Sequence, residues 1–562
     1  MKKIALFILL NCTLFSPVLP CQNLTLLVEG YDSGETSLLD SLGYVKKHVN
    51  YQSIVNEVDS LKSTCYRLGY IETKLQSLSR QNDTTFKAKL HLKNKFHTVY
   101  IYYDVSVLSK NSLEAISVQS NDRYFEVQFK DIEAVMAYLN AEIAKKGYPF
   151  TKLKLTDIEV DQGTLKARLK IDRDDQKRTI DTIVIKGYEK FPASFIKHYL
   201  KIKPEQTFDL ASLKNKTEKL NNLRFANQIK PPEILFTEDA TAIYLYVEKS
   251  KSNAFDGFLG FGTNEDDGKL EFDGFLNLVL SNNLNYGESF RLFYKSDEND
   301  QKTFEAGIAM PYLFKTPVGF DMQLHLFKRD SSFTNANQSY KLHYQINPKH
   351  TIYAGYKTLT SNNLLSNSTA SISDFDANYI SLGYTYIDLR MNDVLFPTDA
   401  MITIESDFGK RKTPNVSESQ SKFLVDAMNL IRINTRNSIY ARFNAGAIQS
   451  NQYLENELLR FGGINSIRGF EENSLYANLY GLINTEYRYR LSNTIYAHSI
   501  IDVAYFENDI IDTKEKLFGF GVGFGLLTNS GLFRFVYANG KSENQGFKLS
   551  NSKVHLSLTT SF

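Results

Sequence analysis

Two carboxylates in apolar strands are the residues whose surroundings most demand a chemical explanation. Asp502 sits among Ile500, Ile501, Val503 and Ala504. An acid in so apolar a strand is costly unless it points inward and is paired. Glu486 lies in Leu482–Arg490, where Asn484, Glu486 and Arg488 share one face and Ile483, Tyr487 and Tyr489 share the other. Arg468 is the natural counter-charge, because a guanidinium binds carboxylates in two-pronged fashion. A Glu486–Arg468–Asp502 cluster resembles a catalytic site on paper, yet no candidate nucleophile or base stands beside it. The nine His residues are scattered, and the sequence has no His-Glu-x-x-His, Gly-x-Ser-x-Gly or P-loop motif. An ion-paired anchor is therefore expected: no catalytic residue, no metal site, no cofactor and no enzyme activity.

Such a cluster needs strands to hold it. In Phe518–Leu526, Gly519, Gly521, Gly523 and Gly525 fall on one face, and Phe518, Phe520, Val522, Phe524 and Leu526 on the other. Four glycines on one face weaken a strand, so something bulky, such as a loop folded inward, is expected to approach that face. The same alternation runs through Lys553–Phe562 and through residues 320–327 and 380–386. From residue 253 onward helical periodicity is almost absent. The 310 residues from 253 to 562 give about 19 per strand and connection if sixteen strands close a transmembrane antiparallel β-barrel. Phe562 ends the last strand as a C-terminal strand signal. Polar connections at Asp297–Gln301, Ser361–Ser373 and Lys410–Ser421 then belong outside the cell.

Composition agrees. The 562 residues carry 65 Lys+Arg against 63 Asp+Glu, a net charge of +2. That balance argues against nucleic-acid binding by bulk charge. Phe (39) and Tyr (34) are abundant while Trp is absent, which suits alternating strands. Residues 1–21 read as a signal peptide: Lys2 and Lys3, a short apolar core Ile4–Leu10, then Pro17, Pro20 and Cys21. Cleavage is placed near Cys21–Gln22. Lipidation of Cys21 is an alternative that the preceding Pro20 disfavours. The mature chain would keep Cys65 alone, excluding an intramolecular disulfide or a cysteine zinc site.

Residues 22–252 alternate helical and strand patterns in three units, 22–95, 96–175 and 176–252. Leu26–Tyr31, Val99–Tyr102 and Thr182–Tyr188 open them; Thr85–Leu90, Thr164–Leu169 and Ala242–Val247 close them. Gly69-Tyr70 and Gly147-Tyr148 end the second helix in the first two, where Gly suits a left-handed C-terminal position. The third has Arg224-Phe225. The expected order is β-α-α-β-β in each. This α+β repeat resembles the POTRA domain, a periplasmic module found in tandem ahead of outer-membrane assembly barrels.

The segment Arg460-Phe461-Gly462-Gly463-Ile464-Asn465-Ser466-Ile467-Arg468-Gly469-Phe470 resembles the lumenal loop motif of the BamA/TamA superfamily, whose marks are a Gly-Gly pair and an (Val/Ile)-Arg-Gly-(Phe/Tyr) tip. Asp388-Leu389-Arg390-Met391-Asn392 with Phe396-Pro397 is similar to its mid-barrel segment, although Ala400 and Ala504 stand where the family often has Gly. The resemblance implies that the loop enters the lumen and docks Arg468 on Glu486 and Asp502. It also implies that the strand near Phe255–Phe261 meets Val554–Phe562 at a weak seam, and that the protein assembles, inserts or translocates others in the outer membrane of a Gram-negative bacterium. Expected partners are unfolded outer-membrane or secreted clients, the lipid bilayer, and a periplasm-spanning or lipoprotein subunit. The alternative is a two-partner-type pore exporting one client, which normally has two such modules and a plug helix.

Overall fold

The computed structural model describes residues 23–104, 108, 110–161, 163–173, 176–263, 270–296, 301–365, 371–528, 531–544, 546, 548–549 and 552–561. Residues 1–21, expected to be a signal peptide, residues 297–300 of the expected outer connection, and Phe562 lie outside them. Two compact units are present, one ending at Arg178 and including Thr207–Asp209, the other holding Thr179–Gln206 and everything from Leu210.

In the first unit, strand Leu24–Glu29 pairs in parallel with Thr85–His91, which pairs antiparallel with Lys74–Arg80. Helices Ser33–Leu42 and Tyr51–Arg67 begin at Asp32 and Asn50, whose side chains accept from the backbone N–H of Glu35 and Ser53. Ile54, Val58, Leu61 and Cys65 recur at helical spacing and bury against Leu26, Val28, Ala88 and Leu90. Gly69 follows the helix at φ +101°, where a Cβ would come within 2.4 Å of the Phe96 carbonyl oxygen. A two-residue strand between the helices, Lys47–His48, adds a fourth strand to this sheet, and the next departs further from the expected β-α-α-β-β. It has five strands, because Tyr124–Gln128 and the short Gln119–Ser120 join it, and the first helix shrinks to Lys110–Glu114. The alternation in Tyr124–Gln128 explains the extra strand, since Phe125 and Val127 drive into the core.

The second unit opens with a three-stranded sheet. Thr182–Gly187 lies parallel to Thr241–Lys249, which pairs antiparallel with Ala226–Phe236. Pro231-Pro232 falls where the outer strand slips register, between Lys230 and Glu233; proline is tolerated on such an edge. Where a first helix was expected there is a single π-helical stretch, Phe195–Tyr199. This sheet's domain is fastened to two barrel turns. The Tyr188 hydroxyl accepts from Asn282 and donates to Asn285, both at 2.8 Å, and the Phe195 ring lies edge-on to Tyr312 at 4.9 Å.

The described residues then close sixteen strands into an antiparallel barrel, from Ala254–Thr263 to Ser552–Ser561. Alternation sets its two faces. Ile501, Val503, Phe520, Val522 and Phe524 stay exposed on the outside, while Ile500, Asp502 and Ala504 are buried inside. Several strands run longer than the sequence suggests: His350–Asn363, Thr398–Lys412 and Ser417–Arg432 absorb the ends of the supposed loops, leaving 364–365, 371–374 and 413–416 outside the strands among the described residues. Among the described residues no helix is long and apolar enough to cross a membrane; the barrel crosses with strands.

Candidate functional site

The connection between strands Asn437–Gln449 and Leu479–Arg490 folds back into the barrel. Its base is a short hairpin, Leu459–Phe461 paired with Leu475–Ala477. Gly462, Gly463 and Gly469 turn the chain at φ +108°, +96° and +91°, a region that side chains resist. Ile467 is fully buried among Phe461, Leu482, Ala504, Phe506 and Leu517, with Phe470 packed alongside.

Arg468 is the tip. Its Nε donates to Asp502 Oδ2 at 2.8 Å and its Nη2 to Asp502 Oδ1 at 2.6 Å, a two-pronged pair; its backbone N–H also donates to Oδ2 at 3.0 Å. Nη1 donates to Glu486, whose other oxygen accepts from Arg488 Nε at 2.7 Å. The Asp502 side chain is 0% exposed and that of Arg468 6%. The loop is held beside this pair by Arg442, which donates to the Asn465 carbonyl, and by Asn484, which donates to that of Ser466.

The four glycines divide. Only Gly519 receives the loop: a Cβ there would lie 2.4 Å from the Arg468 carbonyl oxygen. Gly523 and Gly525 instead make room for the rings of His498 and Tyr496, and Gly521 faces the backbone at Tyr537 and Ala538. This corrects the expectation that all four accept the loop. The register decides it, because Asp502, His498 and Tyr496 stand opposite Gly519, Gly523 and Gly525. The second glycine that meets the loop is Gly540 of the next strand, against Gly469.

A further anchor was not visible in the sequence. At the turn Glu455–Glu457, Glu455 pairs with Arg329 at 2.6 Å, Glu457 accepts from Arg411 Nη1 at 2.5 Å, and Asn456 donates to Ser361 Oγ at 2.7 Å. Arg460 is half-buried between the rings of Phe327, Phe333 and Tyr476, 5.2–5.4 Å from their centres. The loop thus touches opposite walls. At the barrel end where Tyr188 meets the barrel turns, Asp393 accepts from Arg432 and Arg490, and Phe396 packs on Tyr496 at 4.8 Å. Arg390 pairs with Asp399 and Asp388 with Lys349, so the Asp388–Pro397 segment closes part of that mouth. Among the described residues, no group of three or more His, Cys, Asp or Glu is placed to hold a metal ion.

The seam is short. Among the described residues the first and last strands pair only at Ala254↔Ser561 and Phe255↔Thr560. The first strand pairs with its other neighbour from Ala254↔Val279 to Thr263↔Leu270, and the last with its own from Leu532↔Thr559 to Asn539↔Ser552.

Residues 280–562 match the family model described as the Omp85 superfamily domain. The chain belongs to the Omp85 superfamily. Solved structures with the same fold include CdiB from Escherichia coli, 13% identical over 90% of this chain and 98% of that one, at a TM-score of 0.54. CdiB from Acinetobacter baumannii is 14% identical over 91% and 98%, at 0.51. BamA from Haemophilus ducreyi, lacking POTRA domains 1–3, is 14% identical over 82% and 99%, at 0.50. No curated protein sequence matches. As an Omp85 protein the chain combines POTRA-like α+β modules with a sixteen-stranded outer-membrane barrel, and its inward loop carries the Ile467-Arg468-Gly469-Phe470 tip.

Proposed function

We propose that this Omp85 protein assembles and inserts other outer-membrane proteins, with residues 23–249 in the periplasm. The observation that carries the reading is the seam, joined among the described residues by two residue pairs while neighbouring strands are laddered along their length. A seam that opens presents unpaired backbone groups at membrane depth. In lipid every such group needs a partner, so an incoming client strand that pairs there meets a lower insertion barrier. The exposed edges of the N-terminal sheets, such as Lys74–Arg80, offer extended clients a first strand to pair with. Energy comes from client folding, without a nucleotide.

The loop favours a gate in the wall over a pore through the lumen. Held at Asp502 on one side and at Arg411 and Arg329 on the other, it obstructs the interior. The rival is a dedicated exporter of one secreted client, whose path runs through that interior. Depletion followed by an outer-membrane and secretome proteome tests the choice. General loss of barrel proteins is expected; loss of one secreted protein with the barrels intact would overturn the assembly reading.

A further inference from the structure

Two adjacent acids on the loop, Glu471 and Glu472, reach strands on opposite sides of the seam. Glu471 pairs with Lys553 of the last strand at 2.9 Å, and Glu472 with Lys295 of strand Ser289–Ser296 at 3.8 Å. Lys295 stands on the third strand counted from the other side of the seam. Both lysines lie near the barrel end away from the turns that Tyr188 and Phe195 contact, since Lys553 begins its strand and Lys295 all but ends its own. The backbone pairs of the seam, Ala254↔Ser561 and Phe255↔Thr560, lie at the opposite end. The seam is thus joined by backbone at one end and, through the loop, by charge at the other.

We propose that Glu471 and Glu472 form an electrostatic clasp that holds the seam shut from within, and that the clasp releases while Arg468 stays seated. The two contacts differ in kind from the anchor. The Lys553–Glu471 side chains are 40% and 53% exposed and those of Lys295–Glu472 36% and 27%, against 6% and 0% for Arg468–Asp502. Exposed pairs are screened by salt and weak; buried pairs are not. The clasp hangs on the anchored tip, because Glu471 and Glu472 follow Arg468 by three and four residues, and Gly469 is pressed against Gly540. Opening the seam at Lys553 therefore breaks the outer pairs first and leaves the loop in place. The positioning residues are Glu471, Glu472, Lys295 and Lys553. The proposal rests on the seam being the moving part in the function above, but its test does not use a client.

Amide hydrogen exchange of residues 552–561, measured by mass spectrometry on the full-length protein in nanodiscs, reads the opening equilibrium directly. Glu471→Gln with Glu472→Gln should raise exchange there by roughly 2- to 30-fold, the range set by two solvent-accessible ion pairs, and leave strands Phe375–Leu389 and Thr398–Lys412 unchanged. Glu471→Lys alone should act similarly, and adding Lys553→Glu should restore slow exchange, which a merely structural role would not predict. In the wild type, raising the salt concentration should speed exchange in 552–561. That arm stands even if a variant fails to fold. Unchanged exchange in the double variant, loss of protection spread over the whole barrel, no rescue by the charge swap, or no salt response would overturn the clasp. A clasp confirmed in a protein whose depletion spares the outer-membrane proteome would refute the assembly function alone.

Discussion

Replacing Arg468 by alanine tests whether the loop is anchored by charge or only packed. Asp502 takes three hydrogen bonds from residue 468, two from the guanidinium and one from its backbone N–H. Glu486 takes one from Arg468 and one from Arg488. After Arg468→Ala, Glu486 keeps Arg488, while Asp502 is left fully buried without its cation. Breaking one side of a buried pair costs about 3–5 kcal/mol, because the remaining charge is uncompensated. That corresponds to roughly two to almost four orders of magnitude in the equilibrium for seating the loop. Hydrogen exchange of residues 460–477, together with a double-mutant cycle, measures it. Coupling to Asp502→Asn should exceed coupling to Glu486→Gln, and Arg468→Lys should rescue only in part, since an ammonium cannot reproduce the two-pronged contact. Arg460→Ala should cost less: its guanidinium stacks on aromatic rings, so its removal loses cation–π contact and packing but strands no acid. Wild-type exchange in Arg468→Ala with no coupling in either cycle would refute the anchored loop.

Other perturbations follow from the same geometry. Gly519→Ala and Gly540→Ala place a Cβ 2.4 Å from the Arg468 carbonyl oxygen and 2.6 Å from that of Gly469, so each should lower stability by about 1–3 kcal/mol in a denaturant titration; Gly481→Ala, with nothing within 4 Å, should be neutral in comparison. Cysteines at Phe255 and Thr560, which face each other across the seam, should form a disulfide, and a strain whose barrel is quantitatively locked should lose assembly activity; full activity would exclude a gating role. Protease added to intact cells should cut within 364–374 or 413–416 and spare residues 23–249; the reverse pattern would invert the topology. Burial pushes the Cys65 thiol up to about 11, so iodoacetamide at pH 8 should label it only after its module unfolds. The neutral thiol favours the folded state, so this contribution is complete below the ordinary thiol pKa and fades as pH rises toward 11.

Asp502 was legible in the sequence because a charge among aliphatic residues stands out whatever the tertiary fold. Arg468, on a loop marked by glycines that only sharp turns explain, was legible for a related reason. The barrel followed from strand alternation, a local property repeated many times. The anchors at Arg329 and Arg411 were not legible: each is an ordinary polar residue on a lumenal face, and its partner on the turn Glu455–Glu457 lies far along the chain. The glycine face illustrates the boundary. Its emptiness was plain, but what fills it at each position depends on the register with strand Ile495–Asn508, and only at Gly519 is the occupant the loop. The added strand Tyr124–Gln128 was missed because its alternation sits in a stretch too short to stand out against the helix that follows.

A gate in a barrel wall and a plug in its interior make opposite demands on the same loop. A plug that left whenever the seam opened would uncover the lumen with each cycle, and a loop bound equally tightly to every strand would keep the seam from opening at all. The distribution of charge over this loop meets both demands. Its buried contacts, Arg468 with Asp502 and Glu457 with Arg411, go to strands well inside the ladder, where continuous backbone pairing already resists movement. Its more accessible contacts, Glu471 with Lys553 and the half-buried Glu472 with Lys295, go to the region around the seam, where backbone pairing among the described residues is sparse. Strong interactions add to strong ones and weak to weak, so the barrel has one compliant line. On the proposed function, a client strand that supplies backbone partners along that line displaces, among the described residues, the two backbone pairs and the two solvent-accessible ion pairs. On that same proposal, hydrogen bonds formed at membrane depth, where the alternative is an unsatisfied group, drive the exchange.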